Sequence, residues 1–265
     1  AITRLSSSPI KIQLSKLNRT CLQNMAEYSR QQSREVRMTC MQALNAFITS
    51  ISFDASTFDN TLADSVLAEA SELINPADLY LTKLSLNLCT SVISNLPSSS
   101  YRDALFNNIY DRPQLWALAS SPLSHGASQK ALQIFLQTLV KQELSDMSFD
   151  DVLNVLYSMD ASIEEMGMGA PRSPGRSSKK NNEDGASTST TSGNSKQSGL
   201  NVAKCVSAIC IGASQQQKEE VISRFSADMQ VLPPTSQTNL ALLCIGEIGR
   251  HTDLSVLSNA PLDTA

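Results

Sequence analysis

Several features that mark membrane proteins and nucleic-acid binders are scarce or missing in this sequence. Aromatic residues make up only 5% of the 265 residues, and only two histidines are present. No apolar run approaches the ~20 residues needed to cross a bilayer. The 21 basic and 25 acidic side chains leave a net charge of -4, which argues against a general nucleic-acid binder. We therefore expect neither a membrane nor a nucleic acid as partner.

The residue constellations that support catalysis are also missing. Neither His125 nor His251 has a neighbouring metal-ligand pattern, and no glycine-rich phosphate loop follows a strand pattern. The six cysteines include no C-x-x-C pair, and no secretory signal precedes them. These absences predict a protein that is not an enzyme, without cofactor, metal or small-molecule substrate. They also predict reduced cysteines in a cytoplasmic or nuclear protein.

What the sequence does contain is helical periodicity. From residue 33 to 48, apolar side chains recur three and four positions apart, so they share one face of a helix. Ser33 stands where an N-cap is expected. Asn75-Pro76 precedes a second such stretch, with the proline placed in the first turn. The residues predicted to point inward in the first and third long helices are Val36, Cys40, Ala43, Leu44, Phe47, Ile48, Ala131, Ile134, Phe135 and Leu139.

The long helices repeat at a regular interval. They are expected to start near residues 33, 77 and 125, followed by two more near 200 and 235, with shorter apolar segments between them. A spacing of about 44 to 48 residues is typical of HEAT and armadillo repeats. Strand alternation and hairpin turn signals are missing. The sequence therefore predicts an all-α fold, a HEAT-repeat α-solenoid of stacked antiparallel helix pairs.

One stretch interrupts the repeats. Residues 170–199 contain no large apolar side chain, so they cannot bury enough surface to offset the entropy of ordering, and we expect them to be disordered. The predicted organisation is HEAT repeats over 1–169, this insertion, and further repeats over 200–265. Its basic residues suggest a solvated loop or a nuclear-localisation patch. Ser173, followed by Pro174, is a candidate phosphorylation site.

Only two residues suggest a contact with a partner. Arg34 and Arg37 lie at the start of a repeat helix, where an arginine can bond a neighbouring repeat and stabilise the stack. The alternative is that both face a bound partner. Gly246 and Gly249 are explained by tight helix packing and by a helix end.

Four stretches together resemble one known family. They are residues 8–14 (Ser-Pro-Ile-Lys-Ile-Gln-Leu), 121–128 (Ser-Pro-Leu-Ser-His-Gly-Ala-Ser), 201–209 (Asn-Val-Ala-Lys-Cys-Val-Ser-Ala-Ile) and 240–255 (Leu-Ala-Leu-Leu-Cys-Ile-Gly-Glu-Ile-Gly-Arg-His-Thr-Asp-Leu-Ser). In this order and spacing the chain resembles the central-to-later HEAT repeats of the CAND family, the cullin-associated, neddylation-dissociated proteins. The resemblance covers nearly everything except the insertion, which is longer than the family leads us to expect.

The resemblance implies a function without side-chain chemistry. It implies a scaffold that wraps around a cullin–RING complex lacking its ubiquitin-like modifier and promotes exchange of substrate-receptor modules. The chain is then expected to be a segment of a longer protein. No family binding residue matches a motif here. The alternatives are an unrelated HEAT or armadillo adaptor or transport receptor, and a domain attached to an enzyme.

Overall fold

Helices make up most of the described residues in the computed structural model, which describes residues 18–50, 53, 55, 58–167 and 190–253. These residues form eleven α-helices and no strand. A single π-helical turn, Phe106–Tyr110, continues the fifth helix. The helices are α1 Asn18–Tyr28, α2 Arg34–Ile48, α3 Asn60–Glu72, α4 Leu79–Asn95, α5 Ser98–Leu105, α6 Pro113–Ser120, α7 Gly126–Val140, α8 Phe149–Gly167, α9 Thr190–Gly212, α10 Gln215–Met229 and α11 Ser236–Gly249.

The helices stack as pairs in two layers. One layer, here called layer A, contains α2, α4, α7, α9 and α11, and each of these packs against the next. The other, layer B, contains α1, α3, α5, α6, α8 and α10. Layer B has one helix more because two short helices and the π turn stand where the other pairs have a single helix. This is the predicted α-solenoid, and the fold class is confirmed.

The starts of the helices are set by local hydrogen bonds. The Ser33 side chain accepts a hydrogen bond from the amide of Val36, so its predicted role as an N-cap is confirmed. Asp78 caps α4 in the same way. Ser214 and Thr235 each form a reciprocal capping box. Such caps satisfy amides that the first turn of a helix cannot pair internally.

The core is continuous along the stack. Leucine, valine, isoleucine and alanine fill most of it, together with eight buried rings that include Tyr101, Phe135 and Phe225. The cysteines of the described residues are free, and five of the six are buried. Burial raises the pKa of Cys89, Cys205 and Cys210 to about 12. These thiols stay protonated and pack as small apolar side chains.

Side-chain contacts between successive repeats show the repeat length directly. Arg34 pairs with Asp78, 44 residues away, and Asn108 Nδ2 donates to Asp64 Oδ1, also 44 residues away, over 2.8 Å. Later in the chain, Gln129 contacts Asn201, 72 residues away. The difference of 28 residues between 72 and 44 is what an insertion within a repeat would add.

The end of that insertion differs from the prediction. Helix α9 begins at Thr190, so residues 190–199 are helical, and the prediction of disorder is wrong for them. At the end of this stretch, Ser198 is buried and Gly199 lies close to Leu243, so α9 packs against α11 here without a large apolar side chain of its own. Residues 170–189 lie outside the described residues, and their disorder stays a prediction.

Four further expectations need correction. Helix α6 was not predicted, because Pro113 starts a new helix soon after the π turn. Pro76 lies in the turn before Asp78, not in the first turn of α4. Ile134 and Val36, predicted to point inward, are 42% and 37% exposed. Ile134 lies on the exposed face of α7 with Lys130, and Val36 lies in the first turn of α2, where all three residues are exposed.

Candidate protein-binding surface

Charge is divided unequally between the two layers. The layer A helices carry six basic and two acidic residues, whereas the layer B helices carry four basic and thirteen acidic ones. The whole-chain charge of -4 therefore conceals a net positive layer and a strongly negative one. The basic residues on layer A are Arg34, Arg37, Lys83, Lys130, Lys196 and Lys204.

Exposed apolar side chains show the same division. Of the ten large apolar residues that are exposed in the described part of the chain, six lie on layer A helices and three lie in loops. Layer B contributes only Tyr28, at the end of α1. Exposed apolar residues among basic ones are typical of a surface that binds another protein. The six on layer A are Val36, Tyr80, Ile134, Ile211, Leu242 and Leu243.

Arg34 joins the first two repeats. Its guanidinium donates two hydrogen bonds to the Asp78 carboxylate, from Nε over 2.6 Å and from Nη2 over 3.0 Å. Its Cζ lies 5.9 Å from the centre of the Tyr80 ring. The tyrosine hydroxyl accepts a hydrogen bond from Gln42. These contacts agree with the structural role considered for Arg34, in which it stabilises the stacking of two repeats. The Arg34 side chain is nevertheless half exposed to solvent.

The structure shows fewer contacts for Arg37 and does not describe Ser173. Arg37 is half-buried, and its buried Nε has no hydrogen-bond partner among the described residues. The proposed partner contact of Arg34 and Arg37 therefore stays a prediction. Ser173 lies outside the described residues.

The Arg34–Asp78 pair predicts a pH dependence of stability. The hydrogen bond from Arg34 lowers the pKa of Asp78 from 3.8 to about 2. A carboxyl group with a lowered pKa stabilises the fold above its unfolded pKa and loses that contribution as the pH falls through its folded pKa. We expect wild type to be more stable than Asp78→Asn at pH 5, with the difference disappearing between pH 4 and pH 2. Urea unfolding at three pH values measures this, and a constant difference would contradict it. The exposed Asp111→Asn variant is the control.

A groove crosses layer A between α7 and α11. Its volume is ≈ 410 Å³, and α9 forms its floor. Ile134 and Ile211 are its exposed apolar side chains, and Lys130, Lys204 and His251 are its basic ones. Gln133 and Gln137 line the α7 side. It brings three layer A helices into one concave surface.

Hydrogen bonds hold the three helices in place. Asn201 of α9 is fully buried and donates to the carbonyl oxygens of Ser121 and Ser124, over 2.8 and 2.9 Å. Its own side-chain oxygen accepts from Gln129 over 2.6 Å. Further along α9, Ser207 donates to the carbonyl oxygen of Glu247 over 3.1 Å. The groove therefore lies on a fixed frame.

Close approach of α9 to α7 depends on Gly212. A Cβ atom at this position would lie 2.8 Å from the Gln137 carbonyl oxygen and 2.9 Å from Val140 Cγ2. We expect Gly212→Ala to lower the free energy of unfolding by about 1–3 kcal/mol through overpacking. Gly246 is the matched control, because a Cβ atom there would meet no atom within 4 Å. The same observation shows that the tight packing predicted for Gly246 is wrong. Gly246→Ala should be neutral or stabilising by up to ~1 kcal/mol. Equal urea midpoints for the two variants would contradict the packing explanation.

The described residues contain no group of three or more histidine, cysteine, aspartate or glutamate side chains placed to hold a metal ion. Among these same residues, no helix combines the length and apolarity that crossing a membrane requires.

Comparison with known proteins points to one family. The chain is 27% identical over 261 residues to the cullin-associated NEDD8-dissociated protein 1 of Arabidopsis thaliana, covering 96% of this chain and 18% of that protein. It is 24% identical over 263 residues to the cullin-associated NEDD8-dissociated protein 1 of Drosophila melanogaster, covering 98% of this chain and 19% of that protein. The resemblance to the CAND family is confirmed. The rat CAND protein 2 is 24% identical over 253 residues, covering 94% and 17%. The chain thus spans less than a fifth of the length of these CAND relatives, and no protein-family model matches it.

Solved structures similar to the chain share little sequence with it. A computationally designed armadillo repeat protein for modular peptide recognition aligns with a TM-score of 0.48 and 9% identity, over 93% of this chain and 90% of that one. An engineered protein aligns with a TM-score of 0.47 and 14% identity, over 94% and 87%.

Three of the four stretches that carry the CAND resemblance meet at the groove. Residues 121–128 supply Gly126, residues 201–209 supply Lys204, and residues 240–255 supply His251. The fourth, residues 8–14, lies outside the described residues. Sequence reasoning did not select Lys130, Lys204 or Ile211. The available signal was Ile134 beside Lys130, an apolar and a basic residue four positions apart on one helix face.

Proposed function

We propose that this chain is part of a protein-binding scaffold that associates with a cullin–RING complex lacking its NEDD8 modifier. In this proposal it binds the cullin and its RING subunit and competes with the substrate-receptor module. Receptor modules then exchange faster. The observation that carries the proposal is the sequence relationship to proteins named cullin-associated NEDD8-dissociated, which extends over 94–98% of this chain for three of them.

The physical character of the chain supports this kind of function. Exchange requires a large surface and coupling between two bound partners, and it requires no reacting side chain. The solenoid supplies a long surface, and its layer A helices combine basic and exposed apolar residues. We propose accordingly that the chain is not an enzyme and that it acts in the cytoplasm, the nucleus or both. The relatives favour this proposal over an unrelated adaptor or transport receptor.

A binding experiment tests the proposal. Purified cullin–RING complex is immobilised in two forms, unmodified and conjugated to NEDD8, and the protein is titrated over each. We expect binding to the unmodified form and at least about tenfold weaker binding to the conjugate. The proposal requires this difference in affinity, since the scaffold is expected to select the complex that lacks NEDD8. Equal binding to both forms would contradict the proposed dependence on NEDD8. No binding to either form would contradict the proposal that a cullin is the partner.

A second measurement tests the exchange step. A complex loaded with one fluorescent receptor module is mixed with an excess of unlabelled module, with and without the protein. We expect the protein to accelerate the loss of label, because it destabilises the bound module. An unchanged dissociation rate would contradict the exchange function and leave the binding proposal standing.

A further inference from the structure

We propose that the groove between α7 and α11 binds an acidic, amphipathic helical segment of a partner protein. The inference rests on the proposed function in one respect only, that layer A binds a protein. It adds the chemistry of the bound segment, and it applies whichever protein carries that segment.

The shape of the groove suits a helix. Its floor is built from Lys204, Ser207, Ala208 and Ile211 of α9, which recur on one face of that helix. Ser207 and Ala208 are small and nearly buried, so the floor is low at its centre. From Lys204 to Ile211 the floor spans two turns, about 10 Å. A groove of this length accepts one face of a short amphipathic helix.

Two apolar side chains are available as anchors. Ile134 on α7 is 42% exposed, and Ile211 on α9 is 40% exposed. Both line the same groove, so one ligand can cover both. Removing them from water favours an occupant with apolar residues on one face. Aliphatic anchors do not offer the stacking surface that a single-stranded nucleic acid uses, so the observations favour a protein segment over RNA.

The accessible charges of the groove select an acidic occupant. Lys130 is exposed, Lys204 is partly exposed, and the exposed His251 lies at one end. The single acidic lining residue, Glu247, is buried, and its carboxylate lies 3.5 Å from Arg250. A segment with glutamate or aspartate at its edges would meet the two lysines, and a basic segment would be repelled.

An unbiased selection tests the inference. The 265-residue chain is used to select binders from a displayed library of random 16-residue peptides. We expect the enriched peptides to carry net negative charge, with apolar residues three or four positions apart. Their affinity should fall by about tenfold or more in Lys130→Glu/Lys204→Glu and in Ile134→Ser/Ile211→Ser, because each pair removes one element of recognition.

Controls separate the possible outcomes. The Lys141→Glu/Lys218→Glu variant carries the same change of charge outside the groove and should bind as wild type does. Thermal unfolding of every variant excludes loss of fold, and variants that unfold are replaced by Lys130→Gln/Lys204→Gln. Enrichment of basic peptides, preferential binding of a labelled single-stranded RNA, or binding unaffected by the groove variants would overturn the inference. Binding of acidic peptides by a protein that ignores cullin–RING complexes would support the groove and contradict only the proposed function.

Discussion

Asn201→Leu should lower the free energy of unfolding by about 3 kcal/mol or more, because several buried polar groups lose their partners together. Asn201 donates to the carbonyl oxygens of Ser121 and Ser124 and accepts hydrogen bonds from Gln129 and Gln197, over 2.6 and 2.9 Å. Leucine has the same branching and the same number of side-chain heavy atoms but can neither donate nor accept. Urea denaturation followed by circular dichroism measures the change.

The control for Asn201 lies on the neighbouring layer A helix. Asn239 of α11 is exposed, and Asn239→Leu should change the free energy of unfolding by less than ~0.5 kcal/mol, as surface substitutions usually do. A similar, small loss at both positions would show that the Asn201 network contributes little. A variant that also loosens the stack should lose peptide binding in the groove, since Asn201 joins α9 to the segment before α7.

Phe225→Ala should be the most damaging single substitution in layer B, with an expected loss of about 3–5 kcal/mol. Phe225 is completely buried, and its ring centre lies 5.0 Å from that of Tyr157. The Tyr157 hydroxyl donates to Asp228 over 2.6 Å, and Arg224 lies over the same ring at 4.9 Å. Burial and this hydrogen bond raise the pKa of Tyr157. The cluster joins α8 to α10, so its loss weakens one of the contacts between two repeats.

Two comparisons make the Phe225 prediction specific. Phe225→Leu keeps most of the buried volume and should cost less than ~1.5 kcal/mol. Leu123→Ala removes an apolar side chain that is 61% exposed and should cost little. If Phe225→Ala unfolds at the same urea concentration as wild type, packing between the helix pairs α8–α9 and α10–α11 does not depend on this cluster.

The parts of the structure that could be predicted from sequence are those set by local rules. The Ser33 cap follows from a hydroxyl ahead of an apolar stripe, and the repeat length follows from the spacing of such stripes. The role of Asn201 could not be predicted, because three of its four partners lie 72 to 80 residues away. Nothing local distinguishes it from an exposed asparagine.

The groove on layer A could not be predicted from the sequence for a related reason. Whether Lys130 and Lys204 face one groove depends on how α7 packs beside α9. Ile134 was assigned to the core because it is apolar and lies three positions after the buried Ala131, although the buried face of α7 is centred on Leu132, Phe135 and Leu139. The division of charge appears only when alternate helices are assigned to different layers. Sequence could therefore predict a solenoid, but neither the groove nor the division of charge between its layers.

The most direct test of the account is binding of unmodified cullin–RING complex by two charge-reversed variants. Lys83→Glu/Lys130→Glu reverses charge on layer A, and Lys141→Glu/Lys218→Glu makes the same change of charge elsewhere. We expect the first variant to bind at least about tenfold more weakly than wild type, with the loss greatest at low salt, and the second to bind as wild type does. Equal affinity of the two variants, or no binding by wild type, would contradict it.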